Sequence, residues 1–167
     1  MKLKNITKLT EADLHYLAGF LDGDGSIMAQ IVKGNSYKYG YSIRVTICFY
    51  QKTKRHWFLL KLRKLLGKDW KLRKRNDGMS ELYITGFTPV KNLLLILKPY
   101  FRLKSRLAKL VLEIIEEYSQ VQIEADFLKV CKKIDKTAEY TDSKNRKNTY
   151  SSVKAYLNSP VETEKTK

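Results

Sequence analysis

Apolar positions near the start of the chain follow a helical period. Leu14, Leu17, Ala18 and Leu21 fall on one face and predict a helix over Glu11–Asp22. Thr10 stands at the N-cap position, with Glu11 and Asp13 in the first turn, where acids complement the helix dipole. Gly23-Asp24-Gly25 is expected to end this helix. The period then changes to two. Tyr41, Ile43, Val45, Ile47 and Phe49 alternate with Ser42, Arg44, Thr46, Cys48 and Tyr50, which predicts a strand with one buried and one solvated face. Ser26–Lys33 reads as its partner, joined through a turn-like Gly34-Asn35-Ser36. A helix is expected over Thr53–Leu66, stopped by Gly67. Trp70–Arg75 and Ser80–Thr85 predict a second hairpin around Asp77-Gly78. From Pro89 the pattern is helical again, over Val90–Leu97, Ser105–Tyr118, Glu124–Tyr140 and Asn148–Leu157. Helix, hairpin, helix, hairpin and then helices predicts an α+β fold with one four-stranded antiparallel sheet.

The 167 residues suit one domain over 1–158, with a core at about 10–120, C-terminal helices at about 121–158 and a tail at 159–167. No apolar run approaches the roughly 18 residues of a membrane span, and no secretory signal pattern opens the chain. Cys48 and Cys131 are too few and too far apart for a disulfide framework or a zinc ribbon, so a reducing compartment is expected.

Charge narrows the partner. The chain holds 33 Lys and Arg against 17 Asp and Glu, a net charge of +16. Residues 51–109 alone hold 17 basic and 3 acidic side chains, whereas residues 110–167 hold 10 of each. An excess this one-sided points to a polyanion, and nucleic acid is expected ahead of an anionic membrane because no basic amphipathic helix with an aromatic apolar face stands out. The predicted sheet has a face to receive it. One side collects Gln30, Ser42, Arg44, Thr46, Tyr50, Lys71, Arg73, Arg75, Glu81 and Tyr83. Arg suits guanine, Gln adenine and Glu cytosine, and a two-stranded ribbon fits a DNA major groove. The alternative is an ordinary solvated sheet face.

Two carboxylates, Asp22 and Asp24, sit where the first helix is expected to end. Acids at a helix C-terminus are unfavourable by roughly 0.3–1 kcal/mol each, so a compensating group is expected. A hard divalent cation would take their oxygens and a free carbonyl, with Gly23 and Gly25 allowing close approach. By itself Asp-Gly-Asp-Gly is also simply a turn.

The whole segment Leu17–Gly25 resembles the LAGLIDADG motif of the homing endonucleases. Six of its nine positions are identical (Leu17, Ala18, Gly19, Asp22, Asp24 and Gly25), Phe20 and Leu21 keep the hydrophobic character, and Gly23 replaces Ala. The likeness extends to Gln51-Lys52-Thr53 before Arg55 and Trp57-Phe58, to Leu103-Lys104 before Ala108, and to Asp142–Lys147. It is similar throughout to the single-motif homodimeric enzymes of organellar rRNA introns. That resemblance implies an αββαββα fold with C-terminal helices and a DNA-reading sheet. It implies a divalent-metal ligand at Asp24 with the Gly23 carbonyl beside it, and a capping or packing role for Asp22. It further implies a solvent-orienting Gln51 and a basic pair, Arg55 and Lys104, near the scissile phosphate. The implied DNA-binding set is Gln30, Ser36, Tyr37, Ser42, Arg44, Tyr50, Lys71, Arg73, Arg75, Glu81 and Tyr83, together with Ser143, Lys144, Arg146 and Lys147 as a phosphate clamp. Mg²⁺ or Mn²⁺ is the expected cofactor, with Ca²⁺ supporting binding without cleavage. An organelle, the chloroplast ahead of the mitochondrion, is the expected location. His15 and His56 are expected to be structural or surface residues.

One motif copy must serve two DNA strands, so a homodimer is expected, paired through Ala18 and Gly19 with each sheet reading half a site. A strand of about ten residues spans roughly 33 Å, or about nine to ten base pairs. The competing readings are an intron RNA maturase and a catalytically inactive DNA-binding protein; the complete Asp24, Gln51, Arg55 and Lys104 set speaks against the latter.

Overall fold

The computed structural model describes residues 9–142 and 146–159. The first helix, α1 (Glu11–Asp24), starts in a capping box: the Thr10 hydroxyl accepts from Asp13 N–H, and the Asp13 carboxylate accepts from Thr10 N–H at 2.9 Å. Those bonds hold the Asp13 carboxyl below its ordinary pKa. The helix runs two residues past the expected end at Asp22. The reason lies outside the segment. Lys104 Nζ donates to the carbonyls of Leu21 at 2.7 Å and Asp22 at 2.6 Å, satisfying the last turn from a distant part of the chain.

Strands β1 (Gly25–Lys33), β2 (Tyr41–Lys52), β3 (Lys71–Lys74) and β4 (Met79–Thr85) form one antiparallel sheet in the order β1-β2-β4-β3. Helix α2 (His56–Leu66) follows β2 through a 3-10 turn at Thr53–Arg55, so the single helix expected from Thr53 is divided. After β4 come α3 (Phe87–Leu97), α4 (Ser105–Ser119), α5 (Glu124–Lys136) and α6 (Tyr150–Asn158). Helix α5 stops four residues before the expected Tyr140 and continues as a 3-10 turn, Thr137–Tyr140.

Ile27, Ala29, Ile31, Ile43, Val45, Ile47, Phe49, Leu82 and Ile84 form the buried face of the sheet. Leu17, Ala18 and Leu21 of α1 join the same core, with α3 and α4 also packed on the sheet. Such side chains each contribute about 1.5–3 kcal/mol when fully buried. The β1–β2 connection closes on Gly40, whose φ of +67° suits glycine, and a side chain there would run into the Tyr156 ring of α6. The edge strand β1 is covered by the C-terminal segment: Asn148 Nδ2 donates to Ile31 O at 2.9 Å. Cys48 and Cys131 are both free and buried. Among the described residues no helix is long and apolar enough to cross a membrane.

Candidate active site and nucleic-acid interface

The second face of the sheet is polar and basic. Gln30 and Arg44 are directly paired across β1 and β2 and are exposed. Ser36 and Tyr37 stand exposed on the hairpin tip. Lys71, Arg73 and Arg75 are exposed along the β3 side. Tyr83 is half-buried, and the Arg73 guanidinium lies over its ring, 5.7 Å from the centroid. Lys147 is exposed. Ser143 and Lys144 lie outside the described residues.

Four expected readers are placed differently. Glu81, expected to face bases, is only 6% exposed. It lies between Tyr50 on β2 and Arg73 on β3, so neighbours cover it from both sides. Its carboxylate accepts from Arg73 Nε at 2.5 Å and pairs with Arg75 NH1 at 3.5 Å, while Arg75 NH2 meets Asp77 at 2.7 Å. Glu81 is therefore held by two arginines and closed off from solvent, and its hydrogen bond and charge raise the Arg73 pKa. Ser42 shares a hydrogen bond with Tyr118 Oη at 3.2 Å. Arg146, expected on phosphate, donates to Ile134 O at 3.1 Å and Thr137 Oγ1 at 2.9 Å, bracing the break after α5. Tyr50 is half-buried beside Cys48; loss of solvent raises its phenol pKa and pushes the Cys48 thiol up to about 12.

The chemical groups gather at one end of the sheet. Gly25 pairs with Phe49, so the acidic end of α1 runs beside the Tyr50-Gln51 end of β2. Gln51 Oε1 accepts from Arg55 NH1 at 3.2 Å across the 3-10 turn. Lys104 is fastened to the end of α1, and burial lowers its pKa against the opposing pull of Asp22. The two motif acids do different work. The Asp22 carboxylate accepts from Arg102 N–H at 2.8 Å, Leu103 N–H at 3.2 Å and Lys104 N–H at 2.9 Å, clasping the entry to α4. Asp24 is exposed. Its carboxylate and the nearby backbone carbonyls are hard oxygen donors, which suit Mg²⁺ or Ca²⁺. Among the described residues no group of three or more His, Cys, Asp or Glu is placed to hold a metal ion.

The expected dimer face also changes. Ala18 is 0% exposed inside its own protomer, on the same stripe as Leu17 and Leu21, and presents nothing outward. Gly19 and Gly23 are open, with no atom within 4 Å of an added Cβ. Their i, i+4 spacing carried this signal in the sequence. Beside them Tyr16 and Trp57 remain exposed and join the Phe20–Phe58 aromatic cluster.

A basic, hydrogen-bonding sheet face running into a cluster of carboxylate, amide, guanidinium and ammonium defines a nucleic-acid-cutting enzyme. Residues 17–115 match the family model described as LAGLIDADG endonuclease. The chain belongs to that family and is a site-specific DNA endonuclease of the homing type. It is 42% identical over 160 residues to DNA endonuclease I-CreI of Chlamydomonas reinhardtii, covering 95% of this chain and 97% of that protein. It is 42% identical over 131 residues to DNA endonuclease I-CvuI of Chlorella vulgaris, covering 78% and 81%. The structure superposes on I-CvuI bound to the I-CreI target in 2 mM Mg, DNA not cleaved, with a TM-score of 0.80 at 36% identity over 93% of this chain and 96% of that one. I-CvuI with its Sro1.3 target in 2 mM Ca matches equally.

Proposed function

We propose that two copies of this chain pair through the open face of α1 and cut both strands of a long, imperfectly palindromic DNA site with Mg²⁺. The observation that carries the pairing is the exposed Gly19–Gly23 stripe ending at a single exposed carboxylate. A second copy brings a second Asp24 to the same axis. Strands β1 and β2 have 9 and 12 residues, which span roughly 30–40 Å, or about nine to twelve base pairs per protomer.

Asp24 and the Gly23 carbonyl would hold the divalent ion, which supplies phosphate polarisation and a more acidic attacking water. Gln51 orients that water through its amide, itself steadied by Arg55. Arg55 and the Lys104 ammonium oppose the charge that grows on the phosphate as it is attacked. Arg73 and Arg75, aimed by Glu81, read guanine edges, while Gln30 and Arg44 read further along the groove. Lys71 and Lys147 contact the phosphate backbone. Ca²⁺ supports binding without cleavage; the I-CvuI–DNA complexes solved in Mg and in Ca support the use of a divalent ion. The two algal relatives support an organellar setting, within which the chloroplast is our reading.

The test is incubation with a randomised duplex library, with and without Mg²⁺, followed by sequencing of the cut ends. Paired cuts on both strands within a twofold-related site of about twenty base pairs support the reading. Binding with no Mg²⁺-dependent ends, or cuts at sites without twofold character, contradict it.

A further inference from the structure

The turn carrying Gln51 and Arg55 lacks local support. Neither the 3-10 turn at Thr53–Arg55 nor α2 has a side-chain cap of its own. The β3–β4 hairpin holds this turn instead. Thr53 N–H donates to Gly78 O at 2.8 Å. Ser80 on β4, directly opposite Gln51, is completely buried. Its hydroxyl donates to Thr53 Oγ1 at 3.3 Å and shares a 3.0 Å hydrogen bond with His56 Nδ1. With the Ser80 proton on Thr53, Nδ1 carries the imidazole hydrogen and donates. A buried hydroxyl is tolerated only when bonded, and here its partners are the turn and the first residue of α2. Ser80 is also the strand neighbour of Glu81, which points the other way and fixes Arg73 and Arg75.

We infer that the His56–Ser80–Thr53 chain is a positioning device: it fixes the turn bearing Gln51 and Arg55, and it ties that turn to the hairpin whose opposite face reads DNA. Ser80 and His56 are positioning residues that touch no reacting atom. A hairpin seated correctly on its bases sets the catalytic turn through Ser80; a poorly seated hairpin leaves Gln51 misplaced. Misplacement of about 1 Å reduces rates by roughly a hundredfold, so modest slackening of this chain is expected to slow chemistry ten- to a hundredfold.

This inference rests on Gln51 and Arg55 acting in the reaction, and the experiment separates the two claims. A duplex cut by the wild-type protein, recovered from the library above, is the substrate. Single-turnover cleavage at saturating protein and binding in Ca²⁺ are measured for Ser80→Ala, His56→Phe, His56→Asn, Gln51→Ala and Ser80→Ala/Gln51→Ala. The expected result is a slower cut for Ser80→Ala and His56→Phe with unchanged affinity, and recovery in His56→Asn, which keeps an N–H donor. In the Gln51→Ala background Ser80→Ala should cost less than it does alone, the remainder acting through Arg55 on the same turn. Rate and affinity falling together, or a full Ser80→Ala penalty on top of Gln51→Ala, overturn the positioning role. Should Ser80→Ala fail to fold, the two His56 variants decide alone, since His56 lies at the start of α2 and is only half-buried. An unchanged rate in Gln51→Ala removes the underlying catalytic assignment instead.

Discussion

Replacing Asp22 by Asn should damage the fold, whereas the same change at Asp24 should leave it intact. The Asp22 carboxylate accepts three backbone N–H groups at the entry to α4, from Arg102, Leu103 and Lys104. Losing a cap of this kind costs about 0.5–2 kcal/mol, and hydrogen bonds to a charged group contribute roughly 1.5–3 kcal/mol. The three do not add. Arg102 and Leu103 are exposed, so water replaces much of what they lose, while Lys104 is half-buried and its N–H is left short. An Asn retains one acceptor oxygen but turns an NH₂ toward donors. The expected loss is about 2–3 kcal/mol, which at this chain length lowers Tm by roughly 4–12 °C. Thermal melts of both variants at one fixed protein concentration, without metal, are the assay. Asp24→Asn should melt with the wild type. An Asp22→Asn protein that melts normally yet cannot cleave would refute the reasoning and make Asp22 a chemical group.

Glu81→Gln should free Arg73 and Arg75, weakening base discrimination at their positions by about 1–3 kcal/mol while binding to unrelated DNA holds or tightens; competition binding across single-base variants checks this. Gly19→Leu should leave the protomer folded, since nothing lies within 4 Å of the added Cβ, but block pairing and both strand cuts; analytical ultracentrifugation with circular dichroism distinguishes these, and a stable dimer contradicts the α1 interface. Burial pushes both thiols up to about 12, so at pH 8 they stay protonated and unreactive. Native protein should resist iodoacetamide and label at Cys48 and Cys131 only after denaturation; rapid native labelling would show the sheet centre to be open.

Most of the architecture was legible because its two periods are clean. The alternation over Tyr41–Tyr50 and the stripe through Leu17, Ala18 and Leu21 locate a strand and a helix without long-range information. What failed depended on distant residues. The end of α1 is set by Lys104, some eighty positions away in the chain, and the break after α5 is braced by Arg146. A period of two assigns Glu81 to the reading face but says nothing of Tyr50 and Arg73 closing over it. Ala18 illustrates the converse: its place on the apolar stripe already argued for the protomer core, and the open face belonged to Gly19 and Gly23. Asp22 and Asp24 look alike in composition; the family resemblance already assigned Asp22 a capping or packing role, and the amides presented by residues 102–104 show what it clasps.

Under the proposed function, cleavage requires a metal held by the exposed Asp24 carboxylate. The most direct measurement compares wild type and Asp24→Asn on one library-derived duplex, with binding and cleavage scored separately in Mg²⁺ and in Ca²⁺. Asn keeps the shape and removes the anionic oxygen. Equal binding by both proteins is expected, with cleavage of both strands by the wild type in Mg²⁺ but not in Ca²⁺, and none by the variant. Robust cutting by Asp24→Asn, or wild-type cutting after chelation of all divalent metal, would contradict it.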